Sequence, residues 1–443
     1  MASKNNIKLH ILGAGPAGLA AGYFAKKSGI PFHIFEASGV YGGNCRTIVE
    51  GDYRFDTGAH RFHDKNQEIT KEIKSLMRDE LKLVDAPSKI FINDNFIDFP
   101  LRLKDLFIHL HTGDMIKIIF ENIQNILRTK RSPMNFKELA YSKYGFTLSE
   151  LFLIGYTEKL WGRESELLHT DVAGDRLKKL NLLSFISEMI FKNKRSDHLD
   201  GSFYYPISGF GSIFDKIVEF IGIENISFNS PVRKLLHKDK RLEEIVYGDN
   251  DSVKVTDVIN TLPVDLTTNI FEPLLPKEIQ DGINNIKYRN LKLCTVFLNI
   301  SQFSPNASIY FPEISNPITR IYEPKNRSSK MAPKDKTCIV VEVPYSIGDN
   351  TSRLLDEDIY SLIKTKLKKL FLIKEEDISG FKVMDLSNAY PILMAENQYQ
   401  LKKTVSFLKT FDNHHMIGRN SEFKYLHTHD IMLRAKRLIE NFL

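Results

Sequence analysis

Apolar and polar residues alternate from Ile7 to Leu12, the period of a half-buried strand, and a glycine cluster ends the alternation. Ala17 to Lys27 then carries apolar residues at helical spacing, and Pro31 to Glu36 returns to a strand pattern. From Leu101 to Arg128, Leu, Ile and Phe recur at helical spacing with few turn residues, and Phe136 to Leu183 reads as mostly helical. Phe203 to Ile259 is mixed. Cys294 to Val343 is rich in Val, Ile, Tyr and Phe in short runs, the pattern of an antiparallel sheet. Thr428 to Leu443 closes the chain as a helix with Ile431, Leu433, Leu438 and Phe442 near one face. The expected fold is α/β. A discontinuous dinucleotide-binding domain (1–85, 205–280 and 405–443) is interrupted by a helical insert (95–200) and an antiparallel sheet domain (285–400).

Composition narrows the class. The 443 residues are 42% apolar and 26% charged, which is ordinary globular usage and excludes disorder and fibres. Sixty-one Lys and Arg against 55 Asp and Glu leave +6, too mild for a nucleic-acid binder. Cys45, Cys294 and Cys338 lie far apart and form no CxxC pair, so neither a disulfide framework nor a zinc knuckle is expected. The four late histidines, His414, His415, His427 and His429, lack ligand spacing with acidic or Cys partners, so no metal is expected. No apolar run of about 18 residues occurs, and the first residues lack a signal-peptide pattern. The expectation is a soluble, cytoplasmic protein.

The sharpest local motif is Gly13-Ala14-Gly15-Pro16-Ala17-Gly18, placed between strand and helix. Gly13 allows the tight turn, Gly15 lets the backbone approach a pyrophosphate, and Gly18 lets the helix pack on the strand. Ala17 lies in the first helical turn, whose free N–H groups favour phosphate. Glu36 ends the second strand about 20 residues on, placed to accept hydrogen bonds from a ribose diol. Gly39 and Gly42-Gly43-Asn44-Cys45-Arg46-Thr47 follow. This run resembles the second flavin fingerprint of glutathione-reductase-like flavoproteins, including amine oxidases and protoporphyrinogen oxidases, and points to FAD. Arg46 faces either phosphate or the flavin ring on that reading.

Further blocks resemble the UDP-galactopyranose mutase family in that family's order. They are Gly58-Ala59-His60-Arg61-Phe62-His63, Gly155-Tyr156-Thr157-Glu158-Lys159-Leu160-Trp161-Gly162-Arg163, Pro317-Ile318-Thr319-Arg320-Ile321-Tyr322-Glu323, Ala389-Tyr390-Pro391-Ile392, and Gly418-Arg419 with Phe423-Lys424-Tyr425. The resemblance implies a reduced FAD whose N5 attacks the anomeric carbon of a nucleoside-diphosphate hexose, in surface polysaccharide biosynthesis. It implies that Arg320 and Arg176 clamp the diphosphate, where guanidinium binds phosphate bidentately. It puts Phe152, Tyr156 and Trp161 against the nucleotide, Tyr390 and Tyr425 on phosphate or sugar, and His63 beside the flavin. Gly13, Gly15, Ala17, Gly18, Glu36, Gly43, Asn44, Arg46, His60, Val232 and Arg419 form the cofactor set.

The chain departs from the family on the substrate side. His427 stands where the family has an acid, with Asp430 as a nearby candidate. Ser187 stands where it has a tyrosine, with Tyr204 or Tyr205 as candidate substitutes, and Leu160 replaces its glutamine. Sugar and nucleotide therefore stay open. No second nicotinamide fingerprint occurs, so NAD(P)H or another reductant is expected to visit transiently, and a homodimer is permitted. Two alternatives remain: an FAD oxidoreductase of the amine oxidase or protoporphyrinogen oxidase type, with an apolar substrate tunnel, and a non-catalytic FAD-bearing partner.

Overall fold

The computed structural model describes residues 7–99, 101, 106, 108–127, 132–174, 202–371 and 373–443. Strand β1 (Leu9–Leu12), helix α1 (Pro16–Lys27) and strand β2 (Phe32–Phe35) form the expected unit. β1 lies at the centre of a five-stranded parallel sheet, in the order His414–Met416, Asp257–Asn260, β1, β2, Ile226–Ser227. The strands therefore come from three distant stretches of chain, which makes this domain discontinuous. Leu9 and Ile11 point into one apolar cluster with α1 and the helices Ser212–Ile221 and Thr428–Glu440, while Leu12 points into the cluster on the other face. The buried face of the last helix is Ile431, Met432, Ala435 and Ile439, with Leu433, Leu438 and Phe442 half-buried around it.

The second sheet has seven strands, in the order Ile378–Pro391, Tyr288–Leu298, Thr337–Tyr345, Arg320–Tyr322, Ser308–Tyr310, Ser88–Ile92, Asn95–Phe99. Its pairings are antiparallel except for Ser308–Tyr310 with Ser88–Ile92. The hairpin Ser88–Phe99 turns at Asn93-Asp94, with φ of +49° and +59°, left-handed values that two-residue hairpin loops require. Asn95–Phe99 lies in the stretch expected to open the helical insert, and it is instead the edge strand of this sheet.

The insert contains Thr112–Leu127, Phe136–Tyr144 and a continuous helical run from Phe146 to Trp161 broken by one π-helical turn, Glu150–Ile154. Asn135 caps the second of these, accepting the Glu138 N–H at 2.9 Å. Buried Asn122 donates to the Ile118 and Tyr144 carbonyls and so ties the first helix to the end of the second.

Candidate active site

A cavity of about 670 Å³ runs from the first glycine loop to the junction of the insert and the seven-stranded sheet. At its first end, Gly13 has φ of +96°, the left-handed value the tight turn needs, and donates to the Phe35 carbonyl at the end of β2 at 2.8 Å. A Cβ on Gly15 would meet no atom within 4 Å, and no side chain caps α1 there. Gly42 donates to the Ala14 carbonyl at 2.9 Å, and a Cβ on Gly43 would lie 3.2 Å from the Gly15 Cα. The two glycine turns are thus stitched together around an open helix N-terminus. Arg46 keeps a buried Nε with no hydrogen-bond partner among the described residues. An open cradle and uncapped N–H groups fit a pyrophosphate.

Glu36 is already engaged. Its Oε2 accepts the Ala14 N–H at 2.7 Å, and its Oε1 accepts the Ser38 N–H and hydroxyl. A carboxylate has about four acceptor sites, so Oε2 retains one for a ribose hydroxyl. Gly15, Ala17, Gly43, Asn44, His60 and Arg419 line the cavity, whereas Gly13, Gly18, Glu36 and Arg46 stand behind it. Val232 also lies outside the lining and packs in the apolar cluster with Phe35 and Tyr247.

His60 folds over Gly58, stacks on Phe210 at 5.0 Å and bonds the Asn44 carbonyl through Nε2 at 2.9 Å. Burial, then the nearby Arg419 charge, pushes its pKa down to about 3. Burial also lowers His414 to about 4, and burial followed by Lys65 and Arg419 lowers His427 to about 4. All three are neutral in the folded protein near pH 7. The unfolded chain takes up their protons first as pH falls below 6.5. Stability is therefore full above that value and is lost progressively towards the folded pKa values. A urea midpoint measured near pH 5 is expected to fall well below that at neutral pH, and an unchanged midpoint contradicts the assignment.

At the far end, Arg320 lies opposite Glu342 on the adjacent strand. Its Nε and Nη2 donate to the two carboxylate oxygens at 2.9 and 2.6 Å, and the Glu342 side chain is 2% exposed. Arg320 Nη1 has no protein hydrogen bond among the described residues. Tyr156, Tyr390 and Tyr425 line the cavity, and their hydroxyls likewise have no protein hydrogen bond among the described residues. Trp161, 3% exposed, packs against both Tyr390 and Tyr425 with ring centroids 5.7 Å away, so its role in the fold is to set those two rings. Phe152 lines the cavity from the π-helical turn, and His63 from the loop after Gly58.

Arg419 donates to the Leu426 and Ala389 carbonyls at 2.7–3.1 Å and lies over the rings of Tyr390 and Tyr425. It pins the loop carrying Tyr425 to the end of the strand carrying Tyr390. Three arginines, Arg61, Arg320 and Arg419, line the cavity against one carboxylate, Glu342, among the described residues. Asp430 is not among the lining residues; it accepts the His427 N–H at 3.0 Å and caps the last helix, so His427 itself faces the cavity. Tyr204 and Tyr205 do not line the cavity either: the Tyr205 hydroxyl donates to buried Asp56, and that of Tyr204 accepts from Lys74. Arg176 and Ser187 lie outside the described residues.

Several residues at or beside the site, Arg61 among them, went unassigned in the sequence. Lys159 is buried, and its Nζ shares its three N–H donors among the carbonyls of Phe311, Glu313, Asn316 and Ile318, all at 2.5–2.9 Å. Burial pulls its pKa down to about 7, while four carbonyl oxygens favour the ammonium form. It fastens the helix Gly155–Trp161 to the segment leading into Arg320. Gly162 ends that helix in the left-handed region, at φ +67°, and a Cβ there would lie 2.8 Å from the Arg289 guanidinium, which donates to the Lys159 and Leu160 carbonyls. Tyr310 and Glu342 complete the site. Glu342 left a signal, as a lone acid in the apolar run Ile339–Val343, and Tyr310 left none.

The flavin-containing amine oxidoreductase family model matches residues 16–404. The chain belongs to this family. The family is a flavin-containing one, and the cradle at Gly15 and Gly43 suits FAD. The tobacco (Nicotiana tabacum) mitochondrial protoporphyrinogen oxidase is 30% identical over 121 residues, 26% of this chain and 24% of that protein, so only about a quarter of that relative is spanned. The L-amino-acid oxidase of Crotalus adamanteus is 23% identical over 86% of this chain and 74% of its own. Among solved structures, a reduced UDP-galactopyranose mutase superposes with a TM-score of 0.83 at 18% identity, covering 98% of this chain and 95% of that one. A putative protoporphyrinogen oxidase from Exiguobacterium gives 0.78 at 16%, covering 99% and 98%. At such identities the two structures establish a shared fold. No helix among the described residues is long and apolar enough to cross a membrane, and no group of His, Cys, Asp or Glu there could hold a metal ion.

Proposed function

We propose that this family member is a nucleotide-sugar mutase that interconverts ring forms of a nucleoside-diphosphate hexose with no net redox change. The observation that carries the reading is the set of unengaged groups facing the cavity: Arg320 Nη1 and the hydroxyls of Tyr156, Tyr390 and Tyr425. An oxygen-rich, anionic ligand gives each of them a partner, whereas an apolar amine leaves them unsatisfied at a cost of about 1–3 kcal/mol each. The excess of arginine over carboxylate supports the same sign of ligand charge. Reduced FAD, when bound, supplies a nucleophilic nitrogen directed at an anomeric carbon. The chain's own residues hold the sugar in place. Arg320, oriented by Glu342, keeps Nη1 on the diphosphate as negative charge grows there. Trp161 and Arg419 fix the two tyrosine rings.

A second reading, oxidation of a small substrate by FAD, is favoured by the length of the alignment with the L-amino-acid oxidase and by the apolar wall of Phe99, Leu101, Leu148 and Phe152. One experiment separates the two. FAD-loaded protein, reduced anaerobically with dithionite, is mixed with UDP-, GDP- and dTDP-hexoses and the products are resolved by chromatography. A furanose product that forms only with reduced flavin is the expected result. No product with any sugar, together with flavin bleaching by amines or amino acids, replaces this reading with the second.

A further inference from the structure

The strand Ile378–Pro391 breaks its pairing beside the cavity. Leu386 pairs with Leu291 and Tyr390 with Arg289, so Ser387, Asn388 and Ala389 stand opposite Asn290 alone. Such bulges re-aim side chains and are over-represented next to active sites. Asn388, at the middle of this one, has φ of +51°, a left-handed value that asparagine accepts more readily than most side chains. Its main chain is held on both sides. The N–H donates to the Oδ1 of buried Asn290 at 2.9 Å, and the carbonyl accepts from Asn420 Nδ2 at 3.2 Å. Asn388 lines the cavity, and its carboxamide has no protein hydrogen bond among the described residues.

The bulge lies between the two ends of the cavity. On one side, the Ser387 carbonyl accepts from Nδ2 of Asn44, which follows the second glycine turn. Asn420 comes shortly after Gly418, where a Cβ would lie 3.1 Å from that of Ala17 in the first turn of α1. On the other side, two residues along the strand, Tyr390 belongs to the Arg320 end. A cofactor whose pyrophosphate rests on the Gly15 cradle has to carry its ring across this middle stretch to meet a ligand at Arg320. A flavin ring has one polar edge, an N–H flanked by two carbonyls, and one methylated, apolar edge. A carboxamide offers an acceptor beside two donors, which complements the polar edge and finds no partner on the apolar one. We propose that Asn388 binds the polar, pyrimidine edge of the FAD ring, with Oδ1 accepting its N–H and Nδ2 donating to an adjacent carbonyl. The bulge then sets where the ring stops between cradle and ligand. This rests on FAD at the Gly15 cradle and not on the mutase reading, and it holds equally if the flavin oxidises a small substrate.

Full-length protein stripped of FAD is titrated with FAD and followed by flavin fluorescence. Asn388→Gly keeps the left-handed backbone and deletes only the carboxamide. It is expected to keep the far-UV circular dichroism of wild type, to bind FAD about tenfold more weakly, and to shift the visible bands of the bound flavin. Asn388→Asp keeps the shape and tolerates the same backbone, but it puts a carboxylate where reduction adds negative charge. Its bound flavin, poised against a reference dye, is expected to have a more negative potential than wild type. A Gly variant with wild-type affinity and bands overturns the proposal, because the asparagine then serves only the turn. An Asp variant with an unchanged potential overturns it as well. Both shifts, found in a protein that converts no sugar, support the flavin contact and remove only the mutase reading.

Discussion

Changing Gly18 to Ala is expected to give a protein that folds poorly and retains no FAD, whereas Gly15→Ala is expected to fold normally and lose the cofactor all the same. A Cβ at position 18 would lie 1.8 Å from the Gly13 carbonyl oxygen, inside the turn that joins β1 to α1. Relief requires α1 to shift off the sheet, and overpacking of this kind costs about 3 kcal/mol. At position 15 the backbone has φ of −75° and a Cβ would touch nothing, so the fold is indifferent. The space that Cβ takes is the space proposed for the pyrophosphate. Paired measurements of the urea midpoint and of flavin absorbance per protein distinguish the two effects. Gly15→Ala that purifies with a full complement of FAD would place the phosphates elsewhere.

Arg320→Leu is expected to cost about 3–5 kcal/mol, because it leaves the Glu342 carboxylate buried with no cation beside it. Glu342→Gln leaves the arginine in place with one side-chain acceptor instead of a carboxylate, and is expected to be milder in stability. The informative variant is the double change, Arg320→Leu with Glu342→Gln. It removes both charges, so most of the stability is expected to return while turnover stays lost. If turnover returned with stability, Arg320 would serve only the fold and the ligand reading of Nη1 would fall.

The cofactor end of the cavity was legible in the sequence because its geometry is local. Gly13, Gly15 and Gly18 each answer to a turn, an approach or a contact set within a few residues, and Gly42-Gly43 packs on the same loop. The far end was legible only as a collection of residues. Arg320, Tyr156, Tyr390 and Tyr425 do line one cavity, yet which of their groups are engaged depends on chain hundreds of residues away. Glu342 reaches Arg320 through strand register. Arg419 reads as a cofactor ligand in a motif, but three of its five N–H donors go to main-chain carbonyls whose positions depend on how two segments meet. The Asn93-Asp94 turn carried a usable signal for a hairpin. Its membership of the distant sheet did not, because parallel pairing with Ser308–Tyr310 leaves no trace in a local pattern.

The four carbonyls around Lys159 bear on how a ligand gets in. They weld the helix carrying Tyr156 to the hairpin carrying Arg320, so these two walls behave as one rigid jaw. A guest cannot pry them apart on arrival. The width of the slot between the aromatic helix and the arginine strand is set when the chain folds, so selection at that end is expected to follow the thickness of what slides in.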